Sequence, residues 1–127
     1  MPPATLEHHR LLASGKVREI YESDDDRLLM VASDRISTYD VVHPTPIPDK
    51  GKMLTGLTAF WLAETEALCP NNLVSYTEVP DPTRGRGMLV EKLEMFPVEC
   101  VVRGYITGSA WAEYAKSGTL AGEPLPS

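Results

Sequence analysis

Only one long segment of this chain keeps a helical period, and it interrupts a series of short strand-like runs. From Gly51, the residues Met53, Leu54, Leu57, Phe60, Trp61 and Leu68 fall on one helical stripe, and Pro70-Asn71-Asn72 ends it. The stripe predicts a helix whose apolar face packs into the core. Strands are predicted over Lys16–Glu22, Arg27–Ser33, Leu73–Val79, Met88–Leu93 and Val98–Tyr105 from their β-branched, aromatic and aliphatic content. Ser23-Asp24-Asp25-Asp26 joins the first two as a turn whose side chains bond their own backbone, so that pair is an antiparallel hairpin. Pro44, Pro46 and Pro48 make the stretch from Asp34 to Lys52 an irregular loop, and a loop of that length in a compact chain is usually functional. Pro80 to Gly87 reads as another turn or loop. A second, short helix is predicted over Ser109–Ser117, with Ser109 as N-cap and Gly118 just past its end. Five strands and two helices, with the strands mostly consecutive, argue an α+β fold on an antiparallel sheet.

With 127 residues the chain has the size of about one domain. Its 12 basic and 18 acidic side chains give a formal charge of −6, spread evenly along the sequence. That balance argues against a nucleic-acid or anionic-membrane partner. The uncharged run Met53 to Ala63 is far shorter than the roughly 20 residues of a membrane span. The first ten residues carry no apolar stretch of the secretory kind. Cys69 and Cys100 could form one bridge. Two free thiols in a cytoplasmic protein is the expectation, with Cys100 as a small buried hydrophobe among Val98, Val101 and Val102.

Three constellations carry possible chemistry. Ser14-Gly15-Lys16-Val17-Arg18 enters a strand; glycine lets backbone approach a phosphate, and two cations on alternate residues share a face. It reads equally as a hairpin turn with solvated cations. Ala32 to Asp40 gathers two carboxylates, Arg35 and three aliphatic hydroxyls after a buried strand, where polar groups often face a ligand. A capped turn with an internal Asp–Arg pair is the other reading. In the third, Arg103 follows an apolar strand and Ser109 sits at a helix start, a combination suited to an anion. A structural arginine and a plain cap remain open there.

The stretches Gly15-Lys16-Val17-Arg18-Glu19-Ile20-Tyr21, Ala32-Ser33-Asp34-Arg35-Ile36-Ser37 and Asp49-Lys50-Gly51 resemble the SAICAR synthetase family of purine biosynthesis. The most specific match is Phe96-Pro97-Val98-Glu99-Cys100-Val101-Val102-Arg103-Gly104-Tyr105-Ile106-Thr107-Gly108-Ser109-Ala110-Trp111. The resemblance runs from about Leu11 to Pro126. It implies an ATP-dependent ligase that joins L-aspartate to the carboxylate of carboxyaminoimidazole ribonucleotide (CAIR), releasing ADP and phosphate, with an acyl phosphate as activated donor. ATP and Mg²⁺ are the implied cofactors.

The resemblance also implies an antiparallel lobe similar to the small lobe of protein kinases, followed by the start of a second α/β lobe. Residues 1–10 are then an N-terminal tail, 11–95 the ATP-binding lobe and 96–127 the start of the substrate lobe. Gly15, Lys16, Val17, Arg18, Leu29, Lys92 and Met95 are expected at ATP. Asp34, Ser37, Asp40, Lys50, Arg103 and Ser109 are expected at CAIR or aspartate. Family members are longer and carry a later motif of the form L-x-D-x-K-x-E-x-G whose acidic residues hold the metal. The sequence therefore reads as the N-terminal part of such an enzyme, inactive alone, with no metal ligand of its own and the C-terminal part as its partner. The alternative is a stand-alone kinase-like nucleotide-binding module without ligase activity, or a kinase-like phosphotransferase lobe.

Overall fold

The computed structural model describes residue 6, residues 9–98 and residues 100–125. Most of the predicted N-terminal tail lies outside the described residues. The chain divides into two compact units, Met1–Glu94 and Met95–Ser127.

The first unit is built on a five-stranded antiparallel sheet of order β1-β2-β3-β7-β6. Its strands are β1 (Arg10–Ser14), β2 (Arg18–Asp24), β3 (Arg27–Ala32), β6 (Leu73–Ser75) and β7 (Gly87–Glu91). The α+β class and the antiparallel sheet are those expected, and one helix on a five-stranded sheet is the arrangement of a protein-kinase small lobe. The β2–β3 hairpin turns through Asp24, whose Oδ1 accepts the Asp26 N–H at 3.1 Å. Strand β1 was not anticipated; Arg10-Leu11-Leu12-Ala13-Ser14 is exposed at every position and gives no alternating signal.

Strand pleating sorts the side chains onto two faces. Tyr21, Leu29 and Val31 share one face with Val79, and Leu6 and Leu89 pack against them as the core. Arg18, Ile20, Met30 and Ala32 lie on the other. The helix α1 (Lys50–Glu64) covers that second face, with Thr55 and Thr58 bordering Met30, Ala32 and Met88.

The contact surface of α1 corrects the sequence reading. Gly51, Thr55 and Ala59 are its buried residues. Most of the apolar stripe points the opposite way: Met53 is 66% exposed, Trp61 60% and Leu68, beyond the helix, 84%, while Leu54 borders Met30 and Met88 at the edge of the contact. Small residues are required on the inner face because the helix approaches the end of β3 closely. A Cβ on Gly51 would lie 2.6 Å from the Ala32 carbonyl oxygen. Phe60 and Trp61 instead contact each other edge to face, at 5.2 Å between rings.

Between β3 and α1 the loop forms a small ribbon of β4 (Ser37–Thr38) and β5 (Val41–Val42). Its two-residue turn places Tyr39 (φ 46°) and Asp40 (φ 68°) both in the left-handed region, as the twist of a tight hairpin requires.

The second unit holds α2 (Gly108–Ser117) and a ribbon of β8 (Thr119–Leu120) and β9 (Glu123–Pro124). Gly118 closes α2 at φ 69°, as expected, while Thr107, not Ser109, is the N-cap. Glu113 pins the ribbon to the helix, accepting Thr119 Oγ1–H and the Gly122 N–H at 2.9 Å each. The predicted strand over Val98–Tyr105 does not form among the described residues, and Val102 is 97% exposed. An apolar run makes a strand only where a partner offers its backbone groups, and none pairs with it here. Cys100 is accordingly exposed rather than buried, and both it and Cys69 are free thiols. No helix is long and apolar enough to cross a membrane among the described residues.

Candidate functional site

The tight turn between β1 and β2 gathers Gly15, Lys16, Val17 and Arg18, with Asp40 paired to it. Gly15 donates its N–H to the Arg18 carbonyl at 2.8 Å, which closes the turn. Lys16 sits at its tip, and its ammonium pairs with the Asp40 carboxylate on the β4–β5 turn. The Val17 carbonyl accepts two hydrogen bonds from Ser33, from the N–H at 2.9 Å and from Oγ–H at 3.0 Å. Arg18 opens β2 on the face that α1 covers, beside Met30, Ala32 and Met88.

Asp34 joins three elements. Its Oδ1 accepts the Gly51 N–H at 2.9 Å, and its Oδ2 accepts from Arg86 Nη2 at 3.2 Å. The Gly51 N–H, and then the Arg86 guanidinium, hold the carboxyl below the usual carboxylate range despite its partial burial. Its arginine partner is therefore Arg86, 52 residues away, and not the adjacent Arg35. Arg35 reaches the glycine turn instead, donating from Nη2 to the Gly15 carbonyl at 3.1 Å. Ser37 lies in β4 opposite Val42, and Lys50 opens α1 with its N–H on the Ile47 carbonyl at 3.2 Å.

Leu29 is a correction. It is fully buried, 0% exposed, among Tyr21, Val31 and Val79, on the face opposite Arg18. It has no surface to offer a ligand. Ile20 and Met30 occupy the Arg18 face instead. Lys92 is exposed just beyond β7, tied by its N–H to the Asp26 carbonyl at 2.8 Å.

Four residues of this unit were not among those expected individually at a ligand: Glu19, Ser33 and Arg35, which lay inside the recognised stretches, and Arg86, which did not. They line a cavity of about 500 Å³ with Val31 and Pro82. Tyr21 donates its hydroxyl to Glu19 Oε2 at 2.8 Å, and burial, helped by that carboxylate, pushes the phenol up to about 12. Arg86 stood in an Arg-Gly-Arg-Gly run that reads as a flexible loop. Its carbonyl, however, accepts from Ala32 N–H at 2.9 Å and Thr55 Oγ1–H at 3.1 Å, which locks it.

In the second unit, Arg103 and Ser109 line one cavity of about 420 Å³ with Tyr105 and Ile106. Arg103 Nη1 donates to Thr107 Oγ1 at 3.3 Å, so its guanidinium lies at the start of α2. Ser109 is in the first turn of that helix, where backbone N–H groups and the helix dipole favour an anion. Met95 is 82% exposed in this unit. Among the described residues no three His, Cys, Asp or Glu side chains gather in a way that could hold a metal ion.

The family model for SAICAR synthetase matches residues 11–127. The chain is 50% identical over 126 residues to the phosphoribosylaminoimidazole-succinocarboxamide synthase of Maridesulfovibrio salexigens, an alignment that covers 92% of this chain and 42% of the relative. The enzyme of the same name from Salinispora arenicola is 53% identical over 116 residues, covering 91% and 42%. Among solved structures, a SAICAR-synthase from Saccharomyces cerevisiae complexed with SAICAR superposes with a TM-score of 0.88 at 40% identity, over 99% of this chain and 48% of that one. A type-2 SAICAR synthetase in complex with ADP does so with a TM-score of 0.64 at 26% identity, over 91% and 46%. The chain thus spans less than half the length of the relatives it matches. With a match that runs unbroken from the glycine turn through the Arg103–Ser109 cavity, the chain belongs to the SAICAR synthetase family.

Proposed function

We propose that this chain is the N-terminal part of an ATP-dependent ligase that joins L-aspartate to the carboxylate of CAIR and releases ADP and phosphate. The observation that carries the reading is 50% identity over 92% of the chain to an enzyme named for that synthesis. Relatives whose structures hold SAICAR or ADP supply ligands of the matching kind.

A carboxylate is a poor acyl donor, so the reaction needs it phosphorylated before the amine of aspartate attacks. The acyl phosphate formed from ATP provides a leaving group, and inorganic phosphate departs when the new C–N bond forms. Residues 11–95 serve ATP in this reading, and residues 96–127 begin the lobe that serves CAIR. Gly15, Lys16, Val17 and Arg18 face the phosphates, with Lys16 and Arg18 placing positive charge where the transferring group becomes more anionic. Ile20 and Met30 replace Leu29 as apolar wall for the adenine, and backbone near Lys92 meets its edge. Arg103 takes the CAIR phosphate or carboxylate through its planar fork, with Ser109 and the α2 N–H groups beside it. Ser37, Asp40 and Lys50 line the substrate side. The described residues offer no acidic set for Mg²⁺, so no step here is assigned to it. Cytoplasmic location accords with two free thiols.

The test is ADP release with ATP, CAIR and aspartate, on this chain and on the same chain continued by the C-terminal part of the Maridesulfovibrio salexigens relative. The continued chain is expected to release ADP only when both CAIR and aspartate are present, and the 127-residue chain to fall short of it by orders of magnitude. ADP release indifferent to aspartate would replace the ligase by the kinase-like module.

A further inference from the structure

A turn that binds an anion through its backbone must aim N–H groups outward and keep its carbonyl oxygens away from the ligand. In the Gly15–Val17 turn the carbonyls of Gly15 and Val17 are both captured from the protein side. Arg35 Nη2 donates to the first at 3.1 Å; Ser33 N–H and Oγ–H donate to the second at 2.9 and 3.0 Å. The two captors are themselves joined, since Arg35 Nε and the Arg35 N–H both lie on Ser33 Oγ, at 3.2 and 3.3 Å. Glu19 stands 3.6 Å from Arg35 Nη2 and steadies the guanidinium from the strand that leaves the turn. Among the described residues nothing accepts from the Lys16 or Val17 N–H.

We propose that Arg35, working through Ser33, is a positioning residue for the Gly15-Lys16-Val17 turn: it turns the carbonyls inward and leaves the Lys16 and Val17 N–H groups directed at a nucleotide phosphate. This rests on the reading of that turn as the phosphate-facing one. The fork geometry is essential. One guanidinium must serve Gly15 O, Ser33 Oγ and Glu19 at once, which an ammonium cannot do at these spacings.

The test measures two things on the 127-residue chain: ATP·Mg²⁺ affinity by calorimetry, and amide exchange at Gly15, Ser33 and the β3 amides of Leu29 to Val31. Arg35→Met is expected to speed exchange at Gly15 and Ser33, leave the β3 amides and the thermal midpoint within error, and raise the ATP Kd about tenfold, the worth of one charge-assisted hydrogen bond. Arg35→Lys is expected to keep the fold without restoring ATP affinity; full rescue by lysine would overturn the fork. Ser33→Ala probes the same linkage should Arg35→Met lose the fold, with the same expected rise in Kd. Unchanged exchange at Gly15 and Ser33 in both variants would overturn the clasp. Faster exchange with an unaltered ATP Kd would overturn its positioning role, provided Lys16→Ala weakens ATP. No ATP binding by the wild type, or a silent Lys16→Ala, would instead overturn the nucleotide reading of the turn.

Discussion

Asp34 caps α1 from outside the helix: its Oδ1 accepts the Gly51 N–H at 2.9 Å. The residue at the helix's own N-cap position cannot do this. Asp49 is held at φ 61° and makes no side-chain cap; its carboxylate pairs with Lys52 at 2.8 Å. An acidic residue from just past the end of β3 therefore does the capping, and Arg86, immediately before β7, pairs with it.

Removing that carboxylate is expected to be destabilising. Asp34→Ala leaves the Gly51 N–H and the Arg86 guanidinium without their acceptor, at about 1–3 kcal/mol, and Asp34→Asn recovers part of it. The pH dependence follows from the sign of the shift. The carboxyl is depressed in the fold, so its contribution is present above the ordinary aspartate range and is lost as pH falls through the lower folded value. Urea midpoints of wild type and Asp34→Asn should therefore converge in acid. Midpoints that stay equally far apart at every pH would contradict the linkage.

Gly51 and Gly56 lie on the same helix and should respond to alanine with opposite signs. Gly56 has nothing within 4 Å of an added Cβ, so Gly56→Ala gains up to about 1 kcal/mol of helix propensity. At Gly51 the same Cβ meets the Ala32 carbonyl oxygen at 2.6 Å and the Asp34 carboxylate at 3.2 Å. Both are fixed by the β3–α1 junction, so Gly51→Ala must push the helix off the sheet and lower the thermal midpoint. Two shifts of the same sign would mean that α1 sits farther from β3.

The hairpin, the antiparallel sheet and both helices were legible because each announces itself locally: Asp24 at the turn, the period from Gly51, Gly118 after α2. The orientation of α1 was not. A period fixes that a helix has an apolar side, but which side meets the sheet depended on how closely Gly51 approaches Ala32. Leu29 and Arg18 both read as site residues, yet the β2–β3 register sends them to opposite faces. The Asp34–Arg86 pair, separated by 52 positions, left no local signal. Arg35 and Ser33 did lie inside a recognised stretch, but only the fold reveals that they point to Gly15 and Val17.

The outer stripe of α1 makes a prediction about the isolated chain. Met53, Leu57, Phe60 and Trp61 are each more than half exposed on one side of the helix, and water disfavours such a surface. The 127-residue chain is expected to associate with rising concentration in sedimentation velocity. The double substitution Leu57→Gln with Trp61→Gln should shift it towards the monomer while leaving the sheet intact, since neither side chain belongs to the core. Unchanged sedimentation in the double variant would place the association elsewhere.

Tyr21 is expected to make the first unit less stable in alkali. Its ring is in the core and its hydroxyl donates to Glu19 at 2.8 Å, so ionisation would leave a buried phenolate beside a carboxylate. Burial first, and that carboxylate second, raise the phenol from 10.0 to about 12. In the unfolded chain the same phenol ionises near 10. Between those two values the unfolded state holds fewer protons than the folded one, so stability falls as pH rises. The contribution is fully present below pH 10 and gone above about 12. Tyr21→Phe removes this slope while keeping the ring in place. Its stability should be lower at neutral pH, because Glu19 loses a donor, and should decline less steeply than wild type above pH 10. Ultraviolet titration of the phenols in both proteins reads the same event directly: one phenol that ionises late in the wild type should be missing from the variant. If all phenols of the wild type ionise together near 10, Tyr21 is not buried against Glu19.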